Sequence, residues 1–70
     1  MTMVIVRRED KYGAVMTTPH ANRNYWSTDG FLTSEELIEE MLAAGAHQTD
    51  IGDLLNELDR DPKKFCAVMP

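Results

Sequence analysis

The chain has 70 residues, a formal net charge of −5, 43% hydrophobic residues and 27% charged ones. That leaves room for one domain, residues 1–70, with a thin core, and it excludes a membrane-spanning helix because no apolar run is long enough. The single cysteine, Cys66, excludes an internal disulfide, and with no secretory leader pattern at the start the expected location is a reducing cytoplasm.

In chain order, Met1 to Arg8 contains the short, mostly β-branched run Met3-Val4-Ile5-Val6, which predicts a strand. Apolar side chains at both parities predict that it is central or covered on both faces. Arg8-Glu9-Asp10-Lys11 is a polar turn, and Tyr12 to Thr17 predicts a second strand that closes a hairpin. Gly13 marks a point where a bulge or a close approach is expected.

Thr18 to Gly30, TPHANRNYWSTDG, is rich in turn formers and shows no periodicity, so it predicts a long loop. Loops of this length in a small domain are often functional. Its aromatic residues Tyr25 and Trp26 have two expected uses, as plugs for the core or as exposed anchors for a partner.

Gly30 to Gly45, GFLTSEELIEEMLAAG, carries the clearest local signal. Thr33 and Glu36 have the spacing of a capping box, and Leu32 and Leu37 that of a hydrophobic staple. Glu35 and Glu36 lie where the helix dipole favours negative charge. Gly45 supplies a left-handed stop, so a helix is expected over residues 34–44. Leu37, Ile38, Met41 and Leu42 make its apolar stripe, and Glu35, Glu36, Glu39 and Glu40 its acidic ridge.

A second helix is expected from a cap at Thr49 or Asp50 to about Leu58, with Ile51, Leu54, Leu55 and Leu58 turned inward. Asp61-Pro62 ends it, and Phe65 to Met69 predicts a last strand. The fold class is therefore α+β, a single small domain in the order β-β-α-α-β. A helical hairpin would cover one face of a three-stranded sheet with the first strand in the middle.

Two segments resemble known families. Asp29-Gly30-Phe31-Leu32-Thr33 with Glu36 resembles the later half of an EF-hand calcium loop, which implies Gly30 as the turn glycine and Glu36 as a bidentate ligand. Tyr25 stands where that family places its opening oxygen ligand, and Lys63 and Lys64 interrupt a second partial match that starts at Asp59. A degenerate calcium module is thus an alternative reading, but no metal or cofactor is expected, because too few carboxylates remain for tight binding. Residues 36–56 resemble a helix-turn-helix, with Gly45 in the turn. The helix that would enter the groove offers Asp50, Asp53 and Glu57 and no base, so direct nucleic-acid binding is not expected. A transcription regulator that does not touch DNA is a further alternative.

The charge is unevenly placed. Over residues 1–26, Arg7, Arg8, Lys11 and Arg23 stand against Glu9 and Asp10, giving +2. Residues 27–62 hold ten acids against Arg60, giving −9, and Lys63 and Lys64 return +2. No catalytic motif is present: His20, His47 and Cys66 have no metal spacing and no visible base–nucleophile pairing. The chain is therefore expected not to be an enzyme. The expectation is a protein-binding module that occupies or tethers a larger protein with a basic surface, one that handles nucleic acid. Glu35, Glu39, Glu40, Asp53 and Glu57 would steer it, and Tyr25 and Trp26 would anchor it. Small acidic proteins of mobile elements, such as phage inhibitors of host enzymes and anti-CRISPR proteins, share this size and charge. So short a chain would also gain stability from homodimerisation.

Overall fold

The computed structural model describes residues 2–17 and 25–69, with Tyr25 described in its backbone alone. Its elements are β1 (Thr2–Arg8), β2 (Lys11–Thr17), β3 (Tyr25–Ser27), α1 (Ser34–Ala43), α2 (Gln48–Arg60) and β4 (Cys66–Met69). The class is α+β, as the patterning predicts. The sheet has four antiparallel strands in the order β3-β2-β1-β4, not three, and the chain order is β-β-β-α-α-β. The extra strand is Tyr25–Ser27, which lies in the stretch predicted as loop and pairs along the outer edge of β2. The stretch 18–24, with His20, lies outside the described residues.

β1 is an inner strand, between β2 and β4, as its apolar run predicts, and β2 is the other inner strand. Its two parities have different environments. Met3 and Ile5 are buried beneath the helices, while Val4 and Val6 are half-buried on the opposite face. The register carries this division across the sheet. Met3 pairs with Met16 and Met69, and Ile5 with Ala14 and Ala67, on the covered side. Val4 pairs with Val15 and Val68, and Val6 with Gly13 and Cys66, on the other.

The core lies between the covered face and the two helices. Leu37 and Met41 of α1 and Ile51, Leu54 and Leu58 of α2 close over Met3, Ile5, Ala14, Met16 and Ala67. The buried stripe of α1 is narrower than expected, because Ile38 is half-buried and Leu42 is exposed. A helix at the side of a two-layer domain turns only part of its surface inward, so the outer members of its apolar stripe reach the rim.

The helix ends explain the sharp connection. The Thr33 hydroxyl accepts the Glu36 N–H at 3.3 Å, and the Glu36 carboxylate accepts from the Thr33 N–H at 3.3 Å, which is the expected capping box. After the C-cap at Ala44, Gly45 takes φ +99°. Its N–H donates to Leu42 and that of Ala46 donates to Met41. This pair of bonds is a Schellman closure, and it seals Ala46 against Met41 in the core. The second helix starts earlier than expected. Its N-cap is His47, which makes no side-chain cap bond, and Thr49 and Asp50 lie inside the first turn.

Arg7 ties the sheet to the end of α2. Its guanidinium donates to the Leu58 carbonyl at 2.7 Å, to the Asp61 carbonyl at 3.1 Å and to the Lys64 carbonyl. Carbonyls at a helix C-terminus have no intrahelical donor, and an arginine there also meets the negative end of the dipole. The Asp61 carboxylate then accepts the Lys63 N–H at 3.0 Å, which tightens the turn into β4.

Candidate functional site

The residues expected to meet a partner fall on several parts of the surface. Glu35, Glu39 and Glu40 are exposed along α1. Among the described residues none of the three carboxylates has an ion pair, because Glu57–Lys64, at 3.0 Å, accounts for the bridging. Glu36, on the same helix, is occupied by the cap. The Thr33 hydroxyl donates to it at 2.8 Å, and this bond, then the Thr33 N–H, holds its carboxyl below the ordinary value of 4.5.

Asp53 and Glu57 stand apart from that ridge. With Leu54, Asn56 and Arg60 they line a groove of about 470 Å³ between α2 and β4, closed on the strand side by Val68 and Met69. Asp53 is exposed, while Glu57 is half-buried and bonded to Lys64. The five acids are therefore not one patch. α1 packs over β2, and α2 packs over β4 and β1.

Trp26 lies opposite Met16 in the β2–β3 register, so it shares the covered face and packs half-buried against the core. This is the plug role, from an edge strand. The side chain of Tyr25 lies outside the described residues, and its backbone pairs with Thr17.

Among the described residues the exposed large apolar side chains are others: Val15, Phe31, Leu42, Phe65 and Val68. Phe31 follows the bend at Asp29-Gly30, where Gly30 has φ +91°. The bend is pinned because the Thr28 hydroxyl accepts the Ala14 N–H at 3.1 Å and donates to the Gly30 carbonyl at 3.0 Å. The chain then rejoins β2 through paired bonds between Tyr12 and Leu32. The Phe31 ring lies over Gly13, where a Cβ would sit 3.5 Å from it. Gly13 thus gives room for a close approach, as its place in the strand pattern suggests. Arg8 stacks on the same ring, 5.9 Å from its centroid, within cation–π range.

Val4, Val6, Val15, Cys66, Val68 and Phe31 accordingly form an apolar area on the sheet face away from the helices, with Arg8 and Lys11 at one end. Sequence reasoning missed this area. The alternation in β2 and β4 signals a second face, but it does not tell which parity the helices cover.

Among the described residues no group of histidine, cysteine, aspartate and glutamate is placed to hold a metal ion. Nor is any helix among them long and apolar enough to cross a membrane. Comparison with protein-family models, curated proteins and solved structures finds no match to this chain.

Proposed function

We propose that this chain is a protein-binding module that occupies or tethers a larger protein through the acidic ridge of α1. The observation that carries the reading is the set Glu35, Glu39 and Glu40, exposed and without ion partners among the described residues. They lie on a helix fixed at both ends by its capping box and Schellman closure. A rigid row of exposed carboxylates raises the encounter rate with a basic surface. A partner that binds nucleic acid presents such a surface. A chain of this size and charge acts on it by filling the basic groove, in the manner of an inhibitor that imitates the charge of nucleic acid.

The reading assigns the chain no reaction, no cofactor and no direct contact with nucleic acid. Its place of action is the cytoplasm, where nucleic-acid-handling proteins of a phage or mobile-element host are found. Trp26 is assigned to stability, and α1 to contact. The calcium alternative is disfavoured by Glu36, whose carboxylate is already bound by Thr33.

The test is association kinetics with the partner across salt concentration. Glu39→Lys combined with Glu40→Lys should slow association at least about tenfold at low salt while leaving the melting temperature near that of the wild type. An unchanged rate, with no salt dependence in the wild type, would remove the ridge from the mechanism.

A further inference from the structure

We propose that the chain forms a two-fold homodimer through the free edge of β4 and the adjoining side of α2. The first observation is the direction of the backbone. The Arg7 N–H donates to the Phe65 carbonyl at 2.7 Å, and the β1–β4 register continues to Met3 opposite Met69. In an antiparallel pair, alternate residues bond inward. Phe65, Ala67 and Met69 therefore face β1 with their N–H and C=O groups, and Cys66 and Val68 direct theirs away from the sheet. The strand is Cys-Ala-Val-Met. It has none of the charges or prolines that commonly blunt an edge.

The second observation is the order of charges on α2. Asp53, Asn56, Glu57 and Arg60 lie three, four and seven residues along one side of the helix, and all four line the groove beside β4. If β4 pairs with β4 of a second copy about Ala67, Cys66 of each strand bonds Val68 of the other, giving four backbone hydrogen bonds. The two α2 helices then run antiparallel. The register that sets Asp53 opposite Arg60 of the second copy also sets Asn56 opposite Glu57, twice each by symmetry.

The occupant follows from this balance. Asp53 and Glu57 in the groove are offset by Arg60 and by Lys64, which bonds Glu57 at 3.0 Å. The groove has no net charge with which to select a basic or an acidic outsider, yet its sign pattern complements itself. Apolar surface supports the contact, because Val68 is 54% exposed and Phe65 68%. A standard interface takes about 800 Å² from each partner. That is roughly a sixth of the 5012 Å² of accessible surface here. The inference does not depend on the α1 ridge, which stays free in the dimer.

The test uses the full chain alone, by sedimentation equilibrium over a wide concentration range. Wild type should show a monomer–dimer equilibrium. Asp53→Arg and Arg60→Asp should each raise the dissociation constant by about tenfold or more, because each sets like charges against each other twice. An equimolar mixture of these two variants should dimerise again, and so should the chain carrying both changes, since either restores opposite charges across the two-fold. Both residues are exposed, so circular dichroism should match wild type throughout. Val68→Pro removes an outward N–H and should abolish the dimer. A monomeric wild type at millimolar concentration would overturn the proposal. So would charge variants that weaken the dimer without rescue in the mixture, or an edge that takes up an unrelated extended peptide in preference to a second copy.

Discussion

Thr33 and Glu36 determine how the first helix responds to acid. The Thr33 hydroxyl and N–H both donate to the Glu36 carboxylate and hold its pKa below 4.5. A carboxyl whose pKa is lowered on folding stabilises the fold at pH values above its unfolded pKa, and that contribution is lost as pH falls through the folded value. Chemical denaturation between pH 7 and pH 3 should therefore show acid weakening in the wild type and a smaller weakening in Glu36→Gln. Thr33→Ala removes the cap itself and should cost about 1 kcal/mol at pH 7. Arg7 has a different role, since its partners are carbonyls and not acids. Arg7→Ala leaves the Leu58, Asp61 and Lys64 carbonyls without their charged donor, and should cost about 2–3 kcal/mol in the same measurement. Arg7→Lys should recover little of that, because an ammonium cannot reach three carbonyls at fixed angles as a planar guanidinium does.

At the scale of elements, legibility follows how local the determinants are. The first helix is written in adjacent residues: a cap, a box partner three positions on, a heptad of apolar spacing and a terminal glycine. β1 was equally legible, because the β-branched apolar run Met3-Val4-Ile5-Val6 favours a strand with neighbours on both edges, which β2 and β4 supply. β3 was not. Its three residues have no alternation to detect, and they become a strand only because β2 offers its outer edge to them. The start of α2 was displaced for a related reason. Thr49 and Asp50 have the chemistry of caps, but Schellman closure of α1 brings the chain round so quickly that the next helix begins at Gln48. The Arg7 clamp joins residues more than 50 positions apart, beyond the reach of any spacing argument. The acidic ridge was legible as a ridge, but its separation from Asp53 and Glu57 was not, since it depends on which strand each helix covers.

The edge strand gives the test for Trp26. The ring packs half-buried against the core beside Met16, so Trp26→Ala should remove about 2 kcal/mol of stability. In a domain this small that lowers the melting temperature by roughly 10 °C. A thermal melt by circular dichroism reads this directly. An unchanged melting temperature would return Trp26 to the contact surface.

Over the whole molecule, the two faces differ in character. The helices carry most of the acids, and the opposite sheet face holds Val4, Val6, Val15, Val68 and Phe31, with the Arg8-Glu9-Asp10-Lys11 turn at its end. A body of 34 × 20 × 19 Å thus has an acidic surface on one layer and an apolar one on the other. In the proposed dimer two α1 ridges are carried by one continuous sheet, so a partner with repeated basic sites would be held by both at once, and the second contact would form at a high effective concentration.

The proposed function requires that the α1 carboxylates hold a basic protein partner. The most direct measurement is quantitative capture from the native host with tagged wild type beside the Glu39→Lys, Glu40→Lys variant, each at low and at high salt. A specific protein with a basic surface should be retained by the wild type, released by salt and absent from the variant, while both chains melt at the same temperature. Equal retention of the same protein by the two chains at both salt concentrations would rule out the ridge as the contact.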